Sequence, residues 1–172
     1  MPTGADAISI RRLGPDDSVE GLTAFLHRAY AALGARGWNY TAVDQTIDVT
    51  RERLAEGICL VAVDRDGGIV GTIMYNPPQT SYEGSPWLCR SDVAHLGQFG
   101  VEPSLQRGGI GARLMAAVEE MARADGAREI ALDTAEPAMH LIDWYARCGY
   151  RFIEYAQWKG KRYRSVVMSK KL

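Results

Sequence analysis

Apolar residues recur at spacings of three and four through residues 19–33, at Leu22, Phe25, Leu26, Ala29, Tyr30 and Leu33. Each residue turns a helix by about 100°, so these positions form one stripe and predict an amphipathic helix. Pro15, Asp16 and Asp17 supply its start, and Gly34 and Gly37 its end. Ahead of it, 8–13 alternates apolar and polar as a short strand, and a second helix is expected from 41 or 42 to 55, stopped by Gly57. Two β-rich stretches, 58–64 and 69–75, flank Asp66, Gly67 and Gly68 and read as a hairpin. The segment 76–91 holds three prolines, a glycine and Trp87, and is expected to be a surface loop near or over a site. A strand over 93–101 ends at Glu102 and Pro103. From Gly109 onward, Ile110, Leu114, Ala117, Val118, Met121 and Ala122 mark a helix ended by Gly126. A strand over 130–134, a helix over 138–147 ended by Gly149, and strands over 150–155 and 163–168 complete the chain. The order β-α-α-β-β-β-α-β-α-β-β describes a mixed α/β sheet covered by helices.

The chain has 172 residues, with neither internal repeat nor linker, so one domain spanning 1–172 is expected. Its 47% hydrophobic and 24% charged content is that of a chain that folds unaided. Lys and Arg number 20 against 21 Asp and Glu, a formal net charge of -1 that gives no global field for nucleic acid or an anionic membrane. Any anion site must be local. No apolar run approaches the roughly 20 residues of a membrane span, and 1–12 lacks the apolar core of a signal peptide, which predicts a cytoplasmic protein. Cys59, Cys89 and Cys148 are scattered and expected to be reduced, and His27, His95 and His140 lack metal-ligand spacing, so no metal is expected.

The informative segment is Val101, Glu102, Pro103, Ser104, Leu105, Gln106, Arg107, Gly108, Gly109, Ile110, Gly111: a strand end, a glycine-rich turn and a helix start. A helix N-terminus presents unpaired N–H groups and roughly half a positive charge, and glycines let a phosphate approach the backbone. The same glycines would equally serve close strand–helix packing. No Gly-Lys-Ser/Thr triplet follows, which excludes a P-loop, and a dinucleotide fingerprint begun at Gly109 and Gly111 meets Leu114 where its final Gly or Ala belongs.

The segment resembles the acetyl-CoA turn of the GNAT superfamily of N-acetyltransferases, Gln/Arg-x-x-Gly-x-Gly/Ala after a Val-x-Pro strand end, met here by Gln106, Gly109, Gly111, Val101 and Pro103. A second motif, apolar-Tyr-x-x-x-Gly-aromatic, is met by Trp144, Tyr145, Gly149 and Tyr150. The resemblance is close over about 93–152 and implies a mostly antiparallel twisted sheet with a V-shaped splay between strands four and five, flanked by about four helices. It implies acetyl-CoA as acyl donor. The N–H of Phe99 would meet the acetyl carbonyl and that of Val101 the pantetheine, with Gly100 between them, while the amides of Gln106, Arg107, Gly108, Gly109, Ile110 and Gly111 hold the pyrophosphate. Tyr145 stands where the family protonates the departing thiolate, and a phenol of pKa near 10 suits that task. Many relatives carry Asn six positions before that tyrosine, where this chain has Met139.

The acceptor amine must lose a proton, and the register of a glutamate base in some relatives falls on His95. Waters serve in many others, and a lone histidine on a strand is more often structural. Cys148 is disfavoured as an acyl-carrying nucleophile because a helix C-terminus opposes thiolate formation, so direct transfer in a ternary complex is expected. Trp38, Tyr40, Tyr75, Tyr82 and Trp87 are the acceptor-side candidates, by cation–π contact with an amine or simply by packing. The expected activity is transfer of acetyl, or a longer acyl group, to a primary amine of a small molecule or peptide. The alternative is a catalytically silent acyl-CoA-binding sensor or interaction module, which retention of Tyr145 argues against. A homodimer is compatible with this reading.

Overall fold

The computed structural model describes residues 8–172; residues 1–7, which include most of the segment read for a signal peptide, lie outside the described residues. Seven strands form one sheet in the order β1-β2-β3-β4-β5-β7-β6. The chain divides into two compact units, one made of residues up to Tyr75 with Gln98–Val118, the other of Asn76–Gly97 with Glu119–Leu172.

In the first unit β1 (Ser9–Arg12) pairs antiparallel with β2 (Ile58–Val63), and β2 with β3 (Ile69–Asn76). The β2–β3 turn closes because the Asp64 carboxylate accepts from the N–H groups of Asp66 and Gly68 at 3.0 and 2.8 Å, while Gly67 takes φ +81°. Helix α1 (Val19–Ala35) begins where Ser18 Oγ accepts from the Gly21 N–H at 2.9 Å. Its expected stripe is the buried one: Leu22, Phe25 and Leu26 pack on Cys59, Val61, Val63 and Met74.

The expected second helix is two, the single turn α2 (Thr41–Asp44) and α3 (Ile47–Ala55). Gln45 between them is extended at φ −56°, ψ 143°, and Thr46 caps α3 by accepting from the Val49 N–H at 3.2 Å. A threonine that satisfies an orphan amide starts a helix more favourably than it continues one. The break turns Gln45 inward, where its Nε2 donates to Thr50 Oγ1 at 2.7 Å and to Gln98 Oε1 at 3.3 Å.

In the second unit β5 (Glu129–Ala135) pairs antiparallel with β7 (Ser165–Lys171), and β7 with β6 (Arg151–Ala156). The start of β4 (Val93–Val101) joins β5 in a parallel ladder of three pairs, Val93 with Glu129, Ala94 with Ile130 and His95 with Ala131. Leu88, Val93, Ala131, Ala156 and Val167 form this unit's core. Helix α4 (Ile110–Ala124) contributes to both units, and α5 (Met139–Arg147) precedes β6. Among the described residues no helix is long and apolar enough to cross a membrane, and no three His, Cys, Asp or Glu side chains group as metal ligands.

Candidate active site

In the first unit, the end of β4 carries Phe99, Gly100 and Val101. Gln98 just before them sits at φ +43°, a backbone conformation that L residues seldom adopt, and redirects the strand. Two features of α1 hold the redirected end: the Tyr30 hydroxyl donates to the Phe99 carbonyl at 2.9 Å, and Gly100 faces Ala29 so closely that an added Cβ would lie 3.0 Å from the Ala29 Cβ. Gly100→Ala must therefore push α1 away, and we expect a loss of about 1–3 kcal/mol in unfolding free energy, read from urea denaturation. The Glu102 N–H then donates to the Val70 carbonyl at 2.8 Å, fixing where β4 stops.

A 3-10 turn at Pro103–Leu105 follows, and Gln106 reaches back to the Val101 carbonyl at 3.4 Å. Residues 103–109 are exposed. Arg107 and Gly109 both take left-handed φ, +67° and +82°, which turns the chain sharply into α4. Nothing lies within 4 Å of where a Gly109 Cβ would stand, and the first turn of α4 contains no acidic side chain. An exposed turn with open space over its glycine, running into a helix start with no carboxylate to repel an anion, fits a pyrophosphate.

In the second unit, Tyr145 is buried on α5 with its ring against Trp144 at 5.3 Å and Tyr150 at 6.2 Å. The Tyr150 hydroxyl donates to Glu119 at 3.1 Å, and Lys170 donates to both oxygens of that carboxylate at 3.0 and 2.9 Å. Burial, and then the Glu119 charge, pushes the Tyr150 phenol far above its ordinary pKa. Its proton is held in place. Met139 opens α5 at 58% exposure, and no side chain caps this helix. Cys148 closes α5, and burial, the largest effect, raises its thiol pKa.

His95 is buried on β4. Its Nε2 lies 2.9 Å from the Leu88 carbonyl, which can only accept, so Nε2 carries the proton and a neutral ring keeps its lone pair on Nδ1. Burial lowers its pKa below the ordinary 6.5, and the Leu88 bond opposes that shift in part. Residues of the segment 76–91 pack against it. Glu154 on β6 accepts from Ser85 Oγ at 2.5 Å and from the Trp87 N–H at 3.1 Å, Cys89 Sγ donates to the Tyr82 carbonyl at 2.7 Å, and the Tyr82 ring lies 4.8 Å from the imidazole. Trp158, between β6 and β7, lies 5.9 Å from Tyr82 and donates its indole N–H to Asp133 at 2.8 Å.

The five aromatic candidates are thus separated. Tyr82 is brought to His95, whereas Tyr40 meets Tyr30 at 5.7 Å in the first unit. Tyr75 is 1% exposed in the core. Trp38 and Trp87 are already faced by the protein's own guanidinium groups, Arg36 at 5.3 Å and Arg90 at 4.3 Å. Sequence reasoning missed Tyr30, Gln98, Trp158 and Asp133. Tyr30 read as one position of an apolar stripe, and the other three act through contacts with residues distant in sequence, for which no local pattern exists.

The model of the acetyltransferase (GNAT) family matches residues 23–150, and the chain belongs to that family. It is similar to S-(2-succino)cysteine N-acetyltransferase of Bacillus subtilis (strain 168), at 31% identity over 164 residues and 94% of each chain. Among solved structures, PaiA N-acetyltransferase of Thermoplasma acidophilum in complex with coenzyme A is similar at TM-score 0.72 and 18% identity, over 96% of this chain and 99% of that one. A GNAT family acetyltransferase of Elizabethkingia anophelis with acetyl-CoA bound is similar at TM-score 0.66 and 15% identity, over 97% and 99%. Likeness at those identities shows the fold. The protein is an N-acetyltransferase whose acyl donor is acetyl-CoA.

Proposed function

We propose that this enzyme moves an acetyl group directly from acetyl-CoA to the primary amine of an amino-acid-like acceptor in a ternary complex, as a single cytoplasmic domain. The turn at Gln106 to Gly111, with its open Gly109 and acid-free helix start, carries the donor half of this reading. The relative that acetylates an S-substituted cysteine supports the acceptor class, and the free cysteines Cys59, Cys89 and Cys148 support a reducing compartment. When bound, acetyl-CoA supplies an activated thioester carbonyl. The chain's residues do the rest. The amides from Gln106 to Gly111 bind the pyrophosphate, the Val101 amide the pantetheine, and the Phe99 N–H the acetyl carbonyl, where an oriented donor is worth roughly 3 kcal/mol in a well-built site. His95 takes the proton of the incoming amine on Nδ1, and Tyr145 gives its phenolic proton to the departing sulfur. Cys148 takes no part, since a thiol with a raised pKa is a poor nucleophile at neutral pH.

Calorimetry with acetyl-CoA, combined with free-thiol release across a panel of amino acids and simple amines, tests the reading. Acceptor-dependent thiol supports it, and tight binding without any such release would identify a silent acyl-CoA-binding module instead. In His95→Ala we expect a rate about 10²-fold lower or worse and loss of the acidic limb of the pH–rate profile. Burial places that limb below the ordinary 6.5, because the base is lost only when pH falls through the lowered pKa. Retention of both rate and limb would return His95 to a structural role. The same sign governs stability: the unfolded chain takes up the proton first, so His95 costs stability as pH falls below about 6.5.

A further inference from the structure

Gln45, at the break between α2 and α3, is 4% exposed and is held from both α1 and α3. His27 Nε2 of α1 donates to its carbonyl at 2.8 Å. Its own Nε2 donates at 2.7 Å to Thr50 Oγ1 of α3, which lies 2.7 Å from Thr23 Oγ1 of α1. Thr50 donates in turn to the Thr46 carbonyl at 3.2 Å, which fixes its hydroxyl as an acceptor for Gln45. The second proton of the Gln45 amide goes to Gln98 Oε1 at 3.3 Å. Gln98 is 7% exposed, and among the described residues no other hydrogen bond reaches its side chain. All of these groups belong to the first unit. A buried polar network of this kind rigidifies the groups it joins.

What the network holds is a piece of backbone. Gln98 takes φ +43°, which an L residue keeps only where its surroundings impose it. The peptide between Gln98 and Phe99 carries the Phe99 N–H, and its plane turns about the Gln98 Cα–C bond on one side and the Phe99 N–Cα bond on the other. Both sides are tethered. Gln45 holds the Gln98 side chain, and the Tyr30 hydroxyl of α1 donates to the Phe99 carbonyl at 2.9 Å. Neither bond engages the N–H itself, so the two fix the direction of that donor without consuming it. Direction matters because a hydrogen bond weakens steeply as its angle closes, and an amide turned away from a developing oxyanion stabilises it little.

We propose that Gln45 and Tyr30 are positioning residues, which clamp the Gln98–Phe99 peptide from either side and aim the Phe99 N–H at the acetyl carbonyl. The proposal rests on the reading above that this amide meets that carbonyl. It also gives the break after α2 a use, since the break is what turns Gln45 inward to Gln98.

The test compares the wild type with Tyr30→Phe, which loses only a hydroxyl, and Gln45→Met, which keeps the chain length and loses the amide. Acetyl-CoA isotopically labelled at the acetyl carbonyl is bound without acceptor, and its infrared carbonyl stretch reports the contact, because a hydrogen bond to the oxygen lowers the frequency. We expect each variant to move that band to higher frequency than in the wild-type complex. The rate constant kcat should fall by about tenfold in each, with the acetyl-CoA Kd held within about twofold, the scale of a small misplacement at the reacting centre. Gln98→Gly is a third arm. Glycine takes φ +43° without strain, so the fold is kept, yet Gln45 has no side chain left to hold, and the same band shift and rate loss are expected. This arm decides the Gln45 side if Gln45→Met does not fold. Residues that served packing alone would change urea stability and leave both band and kcat unmoved. Unchanged bands in the folded variants, or a kcat loss matched by an equal loss of acetyl-CoA affinity, overturn the proposal and leave the Phe99 reading standing. A wild-type band no lower than that of a thioester in an apolar solvent overturns both, since no donor then meets the carbonyl. The band is read with no acceptor present, so the outcome stands whichever amine the enzyme takes.

Discussion

In Gly109→Asp, acetyl-CoA affinity is expected to fall by about 10²-fold or more while the far-ultraviolet circular dichroism stays that of the wild type. Two effects add. Gly109 takes φ +82°, a region that costs an L residue roughly 1–2 kcal/mol, so the variant strains the turn or rotates its amides away from the anion. The open space over its Cα then receives a carboxylate, and a unit charge about 5 Å from one phosphate, at an effective dielectric near 20, repels it by about 3 kcal/mol, or about 10²-fold in affinity. Gly109→Ala separates the two, since it keeps the strain and omits the charge, and its loss should be the smaller. Calorimetry with acetyl-CoA measures both. A folded Gly109→Asp protein with undiminished affinity refutes the phosphate-turn assignment.

The turn proposed for the donor was legible as a strand end, turn and helix start because those features are local. A strand end, three glycines and a helix start lie within a dozen residues, and in the proposed reading backbone groups do the binding, so the order of residue types carries nearly the whole of that proposal. The α1 stripe was legible for the same reason, as periodicity is a property of neighbours. The break at Gln45 was hidden by Thr46, which can stand inside a helix or cap one; the choice is made when Gln45 turns toward Gln98, more than fifty residues away. The cluster about His95 was least legible. Trp158 reaches Asp133 and Tyr82 across β6, β5 and the segment 76–91, and nothing near any of the three announces the contact. Tyr30 was visible only as an apolar position, although its hydroxyl holds the Phe99 carbonyl.

Tyr145→Phe should lower kcat by about 10²-fold, at the low end for general acid catalysis, with acetyl-CoA affinity changed by no more than about threefold. Only a hydroxyl is lost. The ring keeps its contacts with Trp144 and Tyr150, so the buried packing of α5 survives and the effect falls on the chemical step. The neighbouring phenol gives no substitute. The Tyr150 proton is donated to Glu119, and burial with that carboxylate raises its pKa so far that releasing it to a thiolate would be uphill. Without a positioned acid the sulfur must leave as a thiolate or wait for a proton from water, and the penalty grows with the basicity of the leaving thiol. A thioester with a more acidic thiol should therefore recover much of the lost rate in Tyr145→Phe while gaining little in the wild type. Turnover undiminished in the phenylalanine variant, or a loss independent of the leaving thiol, would remove Tyr145 from the proton transfer and leave it a packing residue of α5.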